Sequence, residues 1–332
     1  MSTSAKNAAG VNIHDVAKHA RVSPATVSRV LNGFARVSAK TRERVLRSAA
    51  ALNYHPNANA RALSHRQNRT LGVIVSNLDN PYFLDVYRAI EEEANREGYE
   101  LLAANTAYSP ERLIRSVDMM LSRRVAALAA IVSEMDSAVV DQLGCAGIPV
   151  VISGVETRHP QITNISVDCR SGMTAIAGHL RSLGHRRVAF VDHHSALESI
   201  GERRRTFLEA LAADAPVVSV SDSFEGGREA VRELFERSVR PTAVVCVNDR
   251  IAVGVLKELS NLGRRVPREV SVTGFDNIAY SDFVTPPLTT VDIPRAEIGR
   301  LAFAMLTGSG PVQDAMVRPT LVIRRSTGPA AS

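Results

Sequence analysis

A chain of 332 residues, 45% apolar and carrying a net charge of +6, is too long for one ordinary core and predicts two or three globular domains. The cysteines Cys145, Cys169 and Cys246 are odd in number and widely spaced, which argues against a disulfide framework or a zinc site and for a reducing cytoplasm. No apolar run approaches the ~20 residues that span a bilayer, and residues 1–10 read as a disordered polar arm without the apolar core of a secretory signal.

The charge is unevenly placed. Residues 1–70 hold 12 Lys and Arg against two acids, Asp15 and Glu43, so the head carries +10 and the remainder −4. A basic head on a slightly acidic body suits a polyanion-binding module joined to something else; a merely solvated basic face is the bland alternative.

Asn12-Ile13-His14-Asp15 reads as a helix N-cap with an acid three residues on, close to a capping box. Ile13, Val16, Ala17 and Ala20 then mark an apolar helical stripe. Arg21-Val22-Ser23 is a tight connection, and Ser23 caps a second helix with Pro24 at its first position. Val27, Val30 and Leu31 share one face of that helix. Ala25, Arg29 and Asn32 share the opposite face, and Ser23, Thr26 and Ser28 add short hydroxyls along the flanks. A slim polar face with one Arg can approach bases and phosphates, although a small capped surface helix would look the same in isolation. Two short helices joined by three residues form a helix-turn-helix, whose second helix reads the major groove. Ser38 caps a third helix, buried through Val45, Ala49 and Leu52.

The runs Asp15-Val16-Ala17, Thr26-Val27-Ser28-Arg29-Val30-Leu31-Asn32-Gly33, Leu52-Asn53-Tyr54, Pro56-Asn57 and Ala60-Arg61-Ala62-Leu63 together resemble the LacI/GalR family of bacterial transcriptional regulators. The resemblance implies an all-α helix-turn-helix head over residues 11–56 and a hinge helix and linker over 57–70. A two-lobed α/β body like a type I periplasmic binding protein follows over 71–328, with lobe 1 at 71–167 and 292–320 and lobe 2 at 168–291 and 321–328. It also implies DNA contacts from Asn12, Ser23, Pro24, Ala25, Thr26, Ser28, Arg29, Asn32, Arg36, Ser38, Asn57, Ala60 and Leu63. A helix as short as Ala58–Leu63 is unstable alone in water, so it would form only on DNA or against a partner copy.

From Leu71 onward strand and helix patterns alternate. Strands are expected at Leu71–Val75, Glu100–Ala104, Leu128–Val132, Pro149–Ile152, Arg187–Val191, Val217–Val220, Ala243–Val247 and Val270–Phe275. Phe83, Val86, Ile90 and Ala94 stripe one helix, Leu113, Val117 and Leu121 the next, and further helices start near Ser137, Arg170, Ser199, Phe224 and Asn248. Repeated βα units predict parallel sheets covered on both faces, and so much chain predicts two α/β lobes with a ligand crevice at the carboxyl ends of their strands. The resemblance implies three chain crossings between the lobes, near Val167–Asp168, Val291–Asp292 and Thr320–Leu321, with Ile323–Thr327 as the closing strand. The chain carries no C-terminal leucine heptad helix of the kind found in tetrameric relatives, so a homodimer is expected.

Asp79-Asn80-Pro81-Tyr82-Phe83 lies past the first strand, at the mouth of that crevice. Asn80 can donate to and accept from a hydroxyl, and Tyr82 and Phe83 could stack on a sugar face, although Phe83 also fits the helix core. Resemblance adds Ser199, Arg203, Asn248 and Asp276 as effector ligands; of the run Arg203-Arg204-Arg205 it favours Arg203 facing the crevice with the others in solvent. Ser153-Gly154 stand where many relatives have an acid followed by Arg or Trp, and Ile293 where several have Gln, which points to an unusual sugar or a less polar ligand. Asp192-His193-His194 could suggest a metal, but three adjacent residues after a strand seldom face one ion. No G-x-S-x-G elbow, H-E-x-x-H, P-loop or G-x-G-x-x-G is present. The expected protein is a dimeric repressor without catalytic residues, metal or cofactor. It would bind a near-palindromic operator in double-stranded DNA and respond to a small-molecule effector, a sugar or sugar derivative. A solute-binding transport component and an α/β enzyme are the competing classes.

Overall fold

The computed structural model describes residues 11–31, 37–54, 68–155, 157–193, 198–211, 214–237, 240–309 and 313–331, with backbone only at 198 and 199. The arm at 1–10, Asn32, Arg36, Asn57, Ala60, Leu63 and His194 lie outside the described residues. The chain divides into two compact units, Met1–Asn68 and Arg69–Ser332.

In the first unit, α1 (Ile13–Ala20), α2 (Pro24–Leu31) and α3 (Ala39–Ala51) close on a small core of Val16, Ala17, Ala20, Val27, Val30, Val45 and Ala49. The capping box is reciprocal: the Asn12 carboxamide oxygen accepts from the His14 and Asp15 amides, and the Asn12 amide donates to Asp15 Oδ2 at 2.9 Å. Arg21, in the left-handed region at φ 51°, ends α1 and lets the Val22 amide donate to the Ala17 carbonyl. Ser23 then caps α2 through the Thr26 amide, and Ser38 caps α3 through the Thr41 amide. Leu31 and Leu52 cover the core's edge, partly buried.

The second unit has a sheet for each of its lobes. The first lobe's sheet has six strands in the order β11-β5-β4-β3-β1-β2, all its pairings parallel. These are β1 (Thr70–Val75), β2 (Glu100–Asn105), β3 (Ala127–Ile131), β4 (Val150–Ser153), β5 (Ile162–Val167) and β11 (Ala315–Val317). The second has four parallel strands in the order β7-β6-β8-β9: β6 (Val188–His193), β7 (Val217–Val220), β8 (Ala243–Cys246) and β9 (Ser271–Thr273). β10 (Thr290–Asp292) and β12 (Thr320–Val322) form a separate antiparallel pair, which isolated bridges at Thr273–Thr289 and Asp276–Asp292 tie to the second sheet's edge.

Period-two burial explains the layering. In β1, Leu71, Val73 and Val75 face one cluster while Ile74 faces the other. α4 (Pro81–Arg96) and α12 (Arg295–Thr307) cover the first face, and Gly299 lets α12 approach α4, because a Cβ there would stand 2.4 Å from that of Ala89. α5 (Pro110–Ser122) and α6 (Ser137–Gly144) cover the other face. In the second lobe α7 (Cys169–Ser182), α8 (Glu198–Leu211), α9 (Phe224–Glu236), α10 (Asp249–Asn261) and the single turn α11 (Tyr280–Phe283) surround the smaller sheet.

The sequence pattern differs from this in three places. β5, β10 and β11 have no expected counterpart, since Ile162-Thr163-Asn164-Ile165-Ser166-Val167 alternates too weakly to stand out. The closing strand ends at Val322 rather than running over Ile323–Thr327, where Ser326 and Arg324 instead tie the C-terminal segment to Thr289 and Leu288. α12 has no expected counterpart: its charged residues Arg295, Glu297 and Arg300 are confined to its first half and the second half is apolar, which weakens the amphipathic stripe.

Candidate functional site

In the head, the exposed side of α2 is built by what its other side buries. Val27 and Val30 are fixed in the core, which turns Ala25 and Arg29 outward, both exposed, with Ser23 exposed and Pro24, Thr26 and Ser28 half-buried beside them. The Ser23 and Thr26 hydroxyls bond each other at 2.9 Å, holding the helix start. Asn12 and Ser38 are both engaged as caps, so each presents a polar helix N-terminus as well as a side chain.

In the body, a cleft of about 1090 Å³, counting the part open to solvent, lies at the carboxyl ends of β1, β3, β4, β5, β6 and β8. Asn80, Tyr82, Phe83, Arg203, Asn248 and Asp276 all line it. Ser199 starts α8 nearby, and its side chain lies outside the described residues. Phe83 serves both purposes considered for it: it is buried in the core cluster and borders the cleft.

Asn80 and Asn248 are helix caps whose free amides converge on one carboxylate. Asn80 accepts from the Tyr82 amide at the start of α4, and Asn248 from the Ile251 amide at the start of α10. Asn248 Nδ2 donates to Asp222 Oδ1 at 2.8 Å and Asn80 Nδ2 reaches Asp222 Oδ2 at 3.5 Å. Tyr108 Oη donates to the same Oδ2 at 2.8 Å, and Arg250 lies 3.9 Å away. Asp222 follows β7 in the second lobe, whereas Asn80 and Tyr108 belong to the first, so this carboxylate joins the two across the cleft. Ala107 and Tyr108 adopt φ of 51° and 60°, a left-handed pair that carries the Tyr108 ring between Phe83 and His193. Burial, reinforced by Asp222, pushes the Tyr108 phenol far above its ordinary pKa and keeps it a donor.

Arg203 is nearly buried, with its guanidinium 4.0 Å over the Phe275 ring, Nη1 donating to the Val247 carbonyl at 2.9 Å and pairing with Asp276 Oδ1 at 3.4 Å. Burial pushes the Asp276 carboxyl up to about 7; Arg203 opposes that and the neighbouring Asp249 adds to it. Asp249 is likewise pushed up to about 6 by burial, held down in part by the Ser281 and Thr290 hydroxyls and the Ile278 amide. Asp276 and Asn277 sit at φ 109° and 52°, and Arg295 clamps them by donating to both carbonyls while its Nε reaches Asp85 on α4 at 3.1 Å.

Arg205 is exposed, as expected, but it also borders the cleft, so Arg203 is not alone of the run in reaching it; Arg204 pairs with the buried Asp192 at 2.9 Å while its side chain stays partly in solvent. Ile293 is buried in the core and does not border the cleft, so its difference from relatives leaves the lining unchanged; Ser153 and Gly154 do border it. Asp192 is used by Arg204 and Ser219, while His193 faces the cleft, and no group of metal-ligating side chains forms among the described residues. Tyr108, Asp222 and Cys169 also line or bridge the cleft and carry no strong sequence signal as ligands. Asp222 carries a weak one, because it follows a strand in a Ser-Asp-Ser turn just as Asp276 follows one.

The chain matches a model of bacterial regulatory proteins of the lacI family over residues 12–57 and one of a periplasmic binding protein-like domain over 177–327. It is 33% identical to the HTH-type transcriptional repressor PurR of Mannheimia succiniciproducens, over 95% of this chain and 98% of that protein. The chain belongs to the LacI family. Among solved structures it is similar to the lac repressor dimer bound to operator and the anti-inducer ONPF, at TM-score 0.83 and 27% identity, covering 96% of this chain and all of that one. It is also similar to the complex of the transcriptional regulator CelR with cellobiose, at TM-score 0.68 and 26% identity, covering 95% of this chain and 99% of that one. This LacI-family chain is a DNA-binding transcriptional regulator with an effector-binding body, and membership sets aside both the enzyme and the transport readings. No helix among the described residues is long and apolar enough to cross a membrane.

Proposed function

We propose that the protein is a dimeric repressor, working in the cytoplasm on the nucleoid, whose operator affinity is set by a small sugar or sugar derivative held in the cleft. The observation that carries the DNA half is the exposed Ala25–Arg29 face of α2 on a +10 head. Pro24 and Ala25 cannot make bidentate base contacts, so Arg29 takes most of the direct major-groove readout, to guanine, with Ser23, Thr26, Ser28 and Asn32 beside it. Asn12, Arg36 and Ser38 contact the flanking backbone, and Asn57, Ala60 and Leu63 belong to a hinge that enters the minor groove. The domain bounds follow the same reading: head 11–56, hinge and linker 57–70, effector body 71–328.

The effector half rests on Asn80, Tyr82, Phe83, Ser199, Arg203, Asn248 and Asp276 as the ligand set, an aromatic and amide-rich lining suited to a polyol. The CelR complex with cellobiose, in a related chain, supports a sugar there. Ligand entry would change the lobes' mutual orientation and so bias the pairing of the hinges, a coupling that acts equally in both directions. Dimerisation is assigned to the aromatic patch of Phe224, Tyr280 and Phe283, the last 86% exposed, because so much aromatic surface on one face is unfavourable in water.

The test is selection of operators from genomic fragments, followed by binding measurements on Arg29→Ala. The substitution should cost about 1–3 kcal/mol and relax specificity at one base pair per half-site. An unchanged profile across operator variants would refute the assignment.

A further inference from the structure

The second lobe carries another concavity, at the opposite end of its sheet from the cleft. It encloses about 1330 Å³, counting the part open to solvent, and lies at the amino ends of β6, β7 and β8. Val188 at the start of β6 borders it, whereas His193 at the end of the same strand borders the cleft, and no residue borders both. The length of β6, about 17 Å, separates the two.

Its rim is strongly basic. Arg181 comes from the last turn of α7, Arg186 and Arg187 from the segment entering β6, and Arg240 from the segment entering β8; all four are exposed and line the cavity. Asp214 is the one acid among the lining residues. Arg181, Arg186 and Arg187 form no ion pair among the described residues, and Glu209 and Glu233 on the flanking helices α8 and α9 pair with Arg170 and Arg237 instead. Two of the guanidiniums are held in place: Arg181 Nη1 donates to the Ala210 carbonyl at 3.4 Å, and Arg240 Nη1 to that of Phe235 at 3.4 Å, with the group 4.9 Å over the Phe235 ring. Leu211, Pro216 and Pro241 add apolar wall. His185 adds no charge, because its ring is engaged by Thr242 Oγ1 at 2.9 Å and the Gly328 carbonyl at 3.0 Å and burial lowers its pKa. Like charges gathered on one rim repel one another, and a concave wall focuses their field on whatever anion enters.

We propose that Arg181, Arg186, Arg187 and Arg240 form a second ligand site, separate from the effector cleft, for a small polyanion bearing at least two phosphoryl or carboxylate groups. A guanidinium fork matches either group bidentately, and four arginines spread over three segments of chain exceed what a single anionic group can engage. A concavity of this kind suits a small molecule better than a flat macromolecular surface. Every lining residue belongs to the second lobe, so occupancy needs no closure of one lobe on the other.

The test titrates the full-length protein with pyrophosphate, citrate and orthophosphate by calorimetry at low ionic strength. Pyrophosphate or citrate should bind at least tenfold more tightly than orthophosphate, and the tighter of the two tells phosphoryl from carboxylate. Arg186→Gln and Arg187→Gln should each weaken that anion about two- to fivefold, as exposed charge contacts do, and the double variant about tenfold. Arg181→Gln, on a different element, should act in the same sense, and Arg205→Gln in the cleft should change nothing. All three rim side chains are exposed, so the melting temperature should hold and the affinities remain comparable. Orthophosphate binding as tightly as the larger anions, affinity that survives the double variant, or no binding to the wild type would overturn the site. A loss on Arg205→Gln would overturn it by placing the anion in the cleft. So would a double variant that loses affinity for random duplex DNA by the same factor, since the arginines would then serve the DNA backbone.

Discussion

Tyr108→Phe should loosen the ligand-free body measurably, because the phenol donates to Asp222 across the cleft at 2.8 Å. The substitution leaves the ring between Phe83 and His193 and removes only the hydroxyl, so the packing term is conserved. A hydrogen bond from a neutral donor to a buried carboxylate is worth about 1.5–3 kcal/mol. Asp222 would keep the Asn248 amide at 2.8 Å, with Asn80 at 3.5 Å and Arg250 at 3.9 Å too distant to replace the phenol fully. That loss shifts the closed-to-open ratio roughly 10- to 150-fold. Tyr108→Phe, Asp222→Asn and the double variant form a cycle, followed by urea unfolding of the body, and the coupling should fall in the same 1.5–3 kcal/mol range. Small-angle scattering of the full-length single variants without ligand should give a larger radius of gyration than wild type. Effects that add within about 0.5 kcal/mol, together with unchanged scattering, would refute the cross-cleft bond.

The head and the body were not equally legible in the sequence. Capping chemistry is local, so Asn12–Asp15, Ser23 and Ser38 announce themselves within four residues, and the helices they start are where the spacing puts them. Strands buried on both faces are runs of Val, Ile, Leu and Ala, and β1, β3, β6 and β8 stand out for that reason. β5, by contrast, mixes Thr163, Asn164 and Ser166 into its run, because the Asn164 side chain is tied to Thr157 and Asp314, contacts no sequence window contains. The cleft divides in the same way. Asn80, Asn248 and Asp276 follow strands and could be found by position, whereas Tyr108 enters through two left-handed residues with no glycine to signal them. Arg203 and Arg205 are two positions apart, about 200° round the helix, so spacing alone does not show that the exposed Arg205 also borders the cleft.

Three further outcomes are expected. Asp276 and Asp249 are held above the ordinary carboxylate range, so the folded body takes up protons before the unfolded chain does; its stability should rise as pH falls from about 8 toward 5, and Asp276→Asn should flatten that slope in thermal scans. Phe283→Glu should shift the protein toward monomer in analytical ultracentrifugation, with no change in the body's circular dichroism, since the side chain is 86% exposed within one chain. The last concerns Leu63, a large apolar residue in the polar, basic stretch Asn57–Thr70. A helix of six residues is too short to be stable unaided in water, so on the function proposed above the hinge is expected to order on specific DNA. A base step in the minor groove offers the leucine an apolar destination at an unstacking cost of a few kcal/mol, and Ala60 is small enough to let the hinge approach the groove floor. Leu63→Ser should therefore reduce operator affinity and DNA bending at fixed salt while leaving the salt-driven affinity for random DNA unchanged. Equal bending by both proteins would rule out the wedge, and a matching loss on random DNA would assign the leucine to folding instead.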